Sequence, residues 1–138
     1  MKSGQINPKI EKKTFLTELV FWLHLPIVIF WFGAFLIPLS IWPGRIAFHF
    51  WFISSLLLIQ LAWGIILYPK TRRIDLICPL TTLLQSLRGC PVESDKNTRH
   101  SFIAELLDRL ELKISYKNVN LLLLITLVIV AVQYFWFR

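Results

Sequence analysis

Long apolar blocks dominate this chain, and short polar segments separate them. A transmembrane helix needs about 20 consecutive apolar residues. Three blocks reach that length, at residues 15–41, 46–68 and 119–137. The pattern predicts an all-α membrane protein with three transmembrane helices, built as a single membrane domain over residues 1–138.

The first two blocks are joined by the very short segment WPGR at residues 42–45. Pro43 and Gly44 both interrupt a helix, so the two spans are expected to form an antiparallel hairpin. The first block is longer than a span requires. We therefore expect it to tilt, or to bend at Pro26 or Pro38.

The polar segment 69–118 contains two short amphipathic patterns. The first predicts a helix at about 78–88, with Pro79 in its first turn, Gly89 as its C-terminal cap, and a leucine face opposite a polar face. The second predicts a helix at 101–114, with Ser101 as N-cap. Both are too short to span. The first is expected to lie at the headgroup boundary or packed beneath the bundle. Both are expected to cover the mouth of the hairpin, and the alternative is that they form a docking surface for a partner.

Basic residues set the predicted orientation. The tail 1–14 carries four of the fifteen Lys and Arg residues and the segment 69–118 carries nine. The positive-inside rule then places the N-terminus and residues 69–118 in the cytoplasm and the C-terminus outside. A bacterial cytoplasmic (inner) membrane is the expected location. This orientation accounts for the net charge of +7, so the charge does not indicate nucleic-acid binding.

Polar side chains inside apolar spans usually face the protein interior or mark function. His24, His49 and Gln60 are the candidates, and Glu18, near the inner edge, is expected to reach headgroups or a tail lysine. Counted from Pro43, His24 and His49 differ in depth by about 20 Å, which argues against one haem held by both. Gln60 lies close to the depth of His24. A structural polar clasp, a His24–Gln60 hydrogen bond between the first two spans, is therefore predicted.

No phosphate-binding loop, zinc-protease motif or nucleophile elbow is present in the sequence. We therefore expect a non-catalytic accessory or structural subunit at the periphery of a larger membrane complex. Its expected partners are the lipid bilayer and other membrane subunits or copies of itself. One alternative is a binder of a cofactor or quinone-like ligand through His24 or His49. A second is a small oligomeric channel or transporter. No cofactor or metal is predicted, although haem or quinone stays open.

Four stretches of the chain together resemble a family of small bacterial membrane proteins known as domain of unknown function 2784. Glu18 stands six residues before His24, and His49 follows the Arg45 turn, as in that family's pattern. An Ile-Cys-Pro-Leu-Thr string at 77–81 matches as well. The resemblance implies a fold and no reaction. It rests on residues 16–28, 42–50, 75–83 and 101–107.

The chain departs from that family's pattern at several ionisable positions. Gln60 stands where the family has an acidic residue, and Thr82 and Leu84 stand where it has Pro and Glu. Ala104 and Glu105 replace a Glu-His pair.

Overall fold

The computed structural model describes residues 8–95 and 102–137. Within those residues the chain forms five α-helices, and a single 3₁₀ turn at Ala34–Leu36 follows the first helix. The helices are α1 (Pro8–Gly33), α2 (Arg45–Thr71), α3 (Pro79–Leu87), α4 (Phe102–Arg109) and α5 (Tyr116–Trp136).

Three of these helical segments are long and apolar enough to cross a membrane: Thr14–Leu36, Arg45–Thr71 and Tyr116–Trp136. Their mean hydropathies are 2.1, 2.1 and 2.2. Large apolar side chains remain exposed along all three, as expected for surfaces solvated by lipid tails. The all-α architecture with three candidate spans is therefore confirmed.

The first span ends earlier than its predicted limit of residue 41. Helix α1 stops at Gly33, and the 3₁₀ turn ends at Leu36. Ile37 is extended, with φ −81° and ψ 119°. The ring of the following Pro38 disfavours helical backbone at Ile37, so the helix cannot continue through this position.

The α1–α2 hairpin is held by polar side chains of α2 that bind carbonyl groups at the end of α1. Arg45 donates to the carbonyls of Ala34 and Phe35, both at 2.9 Å. His49 donates from Nε2 to the carbonyl of Trp31, also at 2.9 Å. The last carbonyls of a helix have no partner within the helix and carry partial negative charge. His49 therefore caps the end of α1, and Arg45 caps the 3₁₀ turn that follows it, both from the neighbouring helix.

After α2 the chain turns back alongside that helix. Arg72 adopts a left-handed conformation with φ 56°, and residues 74–78 follow without helical structure. The backbone oxygen of Asp75 lies so close to Gly64 that a Cβ there would approach it to 2.0 Å. Part of the segment 69–118 therefore packs beside the spans, whereas the sequence predicted that it lies at the surface or beneath them.

Helix α3 begins at Pro79 and ends as predicted. Gly89 has φ 79°, and the N–H of Cys90 donates to the carbonyl of Gln85 at 2.9 Å, which is the Schellman arrangement. Most of its buried side chains belong to the polar face, and Leu83 of the leucine face is 48% exposed. The buried side chains of α3 are Thr81, Thr82, Leu84 and Gln85.

The polar face of α3 turns inward because it has partners there. Trp63 of α2 donates from its indole nitrogen to the hydroxyl of Thr82 at 3.0 Å. Lipid tails are as apolar as leucine, so an outward leucine carries no penalty beside a membrane span. Leu84, the one buried leucine of α3, joins a cluster with Phe21 and Phe102.

Helix α4 is shorter than the predicted helix at 101–114. Glu111 has φ 63°, and the N–H of Leu112 donates to the carbonyl of Leu107 at 2.8 Å, which closes α4 with a second Schellman turn. The apolar stripe predicted to reach Ile114 therefore ends with the helix at Arg109. The predicted N-cap, Ser101, lies outside the described residues.

Candidate ligand-binding cavity

A cavity of about 640 Å³ lies between α1, α2 and α5 and is bordered by residues 74–78 and by α3 and α4. This volume is typical of small-molecule sites, which span about 300–1,000 Å³. Its walls are mainly apolar. Among the side chains that line it are Ile27, Val28, Phe32, Leu56, Leu57, Leu123, Leu124 and Leu127.

Polar side chains of the cavity gather toward one end. On α2, Gln60 lies beyond Leu56 and Leu57, and on α5, Asn120 precedes Leu123. On α1, His24 precedes the apolar lining residues, and α1 runs antiparallel to α2. The cavity therefore has a polar end near His24 and an apolar end toward the α1–α2 turn.

His24 is 6% exposed and is held by contacts on both ring nitrogens. Its Nδ1 lies 3.1 Å from the carbonyl oxygen of Val20, and its Nε2 lies 3.6 Å from the Sγ of Cys78. Because a carbonyl only accepts, the proton of the neutral ring belongs on Nδ1. Nε2 is then free to accept from the Cys78 thiol. The ring also stacks on Phe102, with centroids 4.9 Å apart.

The predicted His24–Gln60 clasp is replaced by these contacts. Both residues do line the same cavity. However, the two ring nitrogens of His24 face Val20 and Cys78. Cys78 is 54 positions away in sequence and reaches His24 only because residues 74–78 return between the helices.

Cys78 is the residue immediately before α3, at its N-cap position. Burial raises the pKa of its thiol, but His24 and the backbone N–H groups of Leu80 and Thr81 outweigh that effect, so the pKa lies below its ordinary value. A histidine and a helix N-terminus are two of the surroundings that favour a thiolate. The other cysteine, Cys90, follows α3 and is also a free thiol.

His49, the other candidate ligand residue, lies away from the cavity lining. It is 2% exposed, its ring edge meets Phe35, and its Nε2 binds the Trp31 carbonyl. Trp31 follows His24 by seven residues, so the two imidazoles differ in depth by about 10 Å, half of the predicted separation. The difference arises because the first span ends near Leu36. One haem between them remains incompatible with this spacing.

Indole hydrogen bonds fix the helices around the cavity. Trp31, on the cavity wall, donates to the hydroxyl of Thr126 of α5 at 2.9 Å, and Thr126 donates in turn to the carbonyl of Leu123. Sequence reasoning missed both this bond and the Trp63–Thr82 bond. Their signal was present, since a buried tryptophan N–H requires an acceptor.

Charged residues tie α3 and α4 to α1 beyond the polar end of the cavity. Arg109 binds both carboxylate oxygens of Glu18, at 2.9 and 3.1 Å, and also contacts Glu105 at 3.2 Å. Arg88, the C-cap residue of α3, binds the same Glu105. Arg109 additionally lies 3.8 Å from the ring centroid of Phe21. The expected headgroup or lysine contact of Glu18 is thus an ion pair with Arg109, and Glu18 raises the pKa of that guanidinium.

The sequence profile of the Protein of Unknown function (DUF2784) family matches residues 14–137. The chain belongs to the DUF2784 family. The resemblance inferred from the Ile-Cys-Pro-Leu-Thr string and the spaced histidines is thereby confirmed. No curated protein and no solved structure matches this chain significantly.

Proposed function

We propose that this protein is a non-catalytic, ligand-binding membrane protein that takes an amphiphilic molecule, with an apolar chain and one polar group, into its cavity. The observation that carries the proposal is the polarity gradient of the 640 Å³ cavity. Gln60 and Asn120 offer hydrogen bonds at the end beside the His24–Cys78 pair, and leucine and isoleucine side chains line the other end. Quinone-like molecules and lipids with small headgroups belong to this class.

The position of the cavity supports a ligand that arrives through the bilayer. Its walls come from three helices that are each long enough to span a membrane. Sites of this kind are mostly apolar, with a few polar groups that fix the orientation of the ligand. Gln60 of α2 and Asn120 of α5 serve that role here, beside His24, whose imidazole is held in one orientation by the Val20 carbonyl and the Phe102 ring.

The test compares two tryptophan substitutions on α5. Leu124 lines the cavity, whereas Leu121 is not among its lining residues, and both are 56% exposed. The protein is purified in mild detergent, and its affinity for a short-chain benzoquinone and for a long-chain fatty alcohol is measured by calorimetry. Leu124→Trp should weaken binding at least tenfold and Leu121→Trp should leave it unchanged. Absence of binding by the wild-type protein to either probe would overturn the proposal.

A second candidate function is that of an accessory subunit in a larger membrane complex. The favouring observation is the small share of each span that is buried inside the protein, at 28%, 17% and 22%. Such surfaces can pack against partner helices as readily as against lipid. Mass measurement in mild detergent tests this candidate, because a chain that travels only as a monomer would contradict it.

We further propose an N-terminus in the cytoplasm of a bacterial cell, with the C-terminus outside. The four basic residues of the tail and the nine of residues 69–118 support this orientation. Cys90 provides the test. A membrane-impermeant maleimide applied to intact cells should leave Cys90 unmodified, and permeabilised cells should show labelling. Labelling of Cys90 in intact cells would reverse the orientation.

A further inference from the structure

A thiol and an imidazole meet at the polar end of the cavity. The Sγ of Cys78 and the Nε2 of His24 are 3.6 Å apart, they come from different elements, and both side chains line the cavity. A cysteine beside a base that is itself oriented by a third group is the arrangement that activates a nucleophile. The Val20 carbonyl is that third group here.

We propose that Cys78 is an acyl-acceptor site, which takes a long-chain acyl group from an acyl thioester and holds it covalently in the cavity. This inference rests on the proposed function, since the acyl chain would occupy the apolar end of the same cavity. The attachment is stoichiometric, so it is a modification of the chain and not a turnover.

The transfer requires one proton acceptor and one nucleophile, and the structure supplies both. His24 Nε2 takes the proton of the Cys78 thiol, while Nδ1–H stays on the Val20 carbonyl. The Cys78 sulfur then attacks the thioester carbonyl carbon. A carbon–sulfur bond to Cys78 forms as the carbon–sulfur bond to the carrier breaks. The carrier leaves as a thiolate and receives the proton from Nε2, so the step needs no oxidant or metal.

The surroundings of Cys78 favour this chemistry over that of an ordinary buried thiol. Cys78 is the N-cap residue of α3, where the positive end of the helix dipole stabilises negative charge on the sulfur. Thiolates at helix N-termini next to histidine are reactive, whereas cysteines in apolar surroundings are inert. An acyl chain attached to the sulfur would contact the apolar side chains that line the cavity, among them Leu56, Leu57, Leu123 and Leu127.

Cys90, the second free cysteine of the chain, serves as an internal control for the acylation of Cys78. The full-length protein in detergent is incubated with a hexadecanoyl thioester of a small thiol, and intact mass is recorded before and after neutral hydroxylamine. Wild type and Cys90→Ser should gain one hydroxylamine-labile acyl group. Cys78→Ser, which retains Cys90, should gain none. Acylation of Cys90 at the same rate as Cys78 would overturn the proposal.

Two further variants test whether His24 acts as the base in acylation or has only a structural role. His24→Gln should slow acylation about 100-fold or more, which is the usual contribution of a positioned base. Gln133→Leu, a change on α5 outside the cavity lining, should keep the wild-type rate. The rate of His24→Gln should also recover as pH rises and the thiol ionises without help. Circular dichroism confirms that each variant is folded.

Two results separate failure of this inference from failure of the proposed function. Binding of the fatty alcohol or quinone without acylation of Cys78 would refute the acyl-acceptor site and leave the cavity as a ligand site. Absence of both binding and acylation would refute both.

Discussion

The backbone oxygen of Asp75 occupies the space into which a side chain at residue 64 would project. A Cβ on Gly64 would come within 2.0 Å of that oxygen. Only glycine allows the returning segment to lie against α2 here. Since the segment leads directly to Cys78, this close approach determines whether the thiol reaches His24.

Substitution of Gly64 by alanine should therefore displace residues 74–78. Backbone cannot move away as a flexible side chain can, and we expect a loss of about 3 kcal/mol in the free energy of unfolding. Alkylation of Cys78 should lose its dependence on His24 in this variant. Gly33→Ala is the matched control, since its Cβ would meet only a side-chain atom of Ile29 at 3.9 Å. Equal stability of the two variants in thermal denaturation would contradict the packing described.

Arg45 should be important for the hairpin although it lies in no predicted site. Its guanidinium satisfies two carbonyl groups, at Ala34 and Phe35. Hydrogen bonds from charged donors contribute about 1.5–3 kcal/mol each, so Arg45→Met should cost about 3 kcal/mol or more of unfolding free energy. Lys70→Met removes an exposed cation from the same helix and should change stability little. The two variants are compared by chemical denaturation in the same detergent.

Double-mutant cycles can distinguish the partners of His24. The geometry predicts coupling between His24→Ala and Cys78→Ala, and additive effects for His24→Ala combined with Gln60→Ala. Interhelical hydrogen bonds in membranes contribute about 0.6 kcal/mol on average, so the coupling is measured on thermal stability with replicate denaturations. Strong coupling of His24 with Gln60 would restore the contact that the sequence had predicted.

The pH dependence of Cys78 alkylation should differ from that of an ordinary thiol. Because the pKa of Cys78 is lowered, the midpoint of its pH–rate profile with a small neutral alkylating reagent should lie below that of an ordinary thiol. The same shift links folding to pH. The stabilisation it provides is present above the unfolded-state pKa and is lost as pH falls through the lowered pKa of the folded state. A Cys78 profile at or above the ordinary range would contradict the assigned surroundings.

An indole bond offers a test of the cavity wall. Trp31→Phe removes the donor to Thr126 and keeps an aromatic ring, while Thr126→Val removes the acceptor and keeps the shape. Each single change should destabilise the protein by about 1 kcal/mol, and the double variant should cost less than the sum. Unfolding free energies of the three variants provide the check. Full additivity would show that the bond does not form.

Hydrophobic block length was sufficient to predict the three spans and the hairpin, because the cost of exposing backbone to lipid leaves few alternatives. It did not predict the return of residues 74–78. Gly64, the residue that permits this return, resembles any small residue in an apolar helix. The inward direction of the polar face of α3 was not predicted, for a related reason. Amphipathic patterns indicate which face is apolar, and beside lipid that face can point outward.

The candidate site was predicted in part for the same reasons. His24 was identified because an imidazole among apolar residues requires a partner. That partner, Cys78, could not be deduced from helix geometry. Cys78 and His24 are 54 positions apart in the sequence. Neither the periodicity of apolar residues nor the estimated depth of a residue in the membrane predicts a contact over that separation.

The inward-facing polar side of α3 has a consequence for how the chain is assembled. The hydroxyl of Thr82 can accept the indole hydrogen bond only after Trp63 of α2 is in place. Leu84 can pack against Phe21 only after α1 has formed. A nine-residue helix has little stability of its own. Biogenesis should therefore be ordered in time. The hairpin inserts first, and α3 docks onto it afterwards, so that the sulfur and the imidazole meet in the last stage of folding.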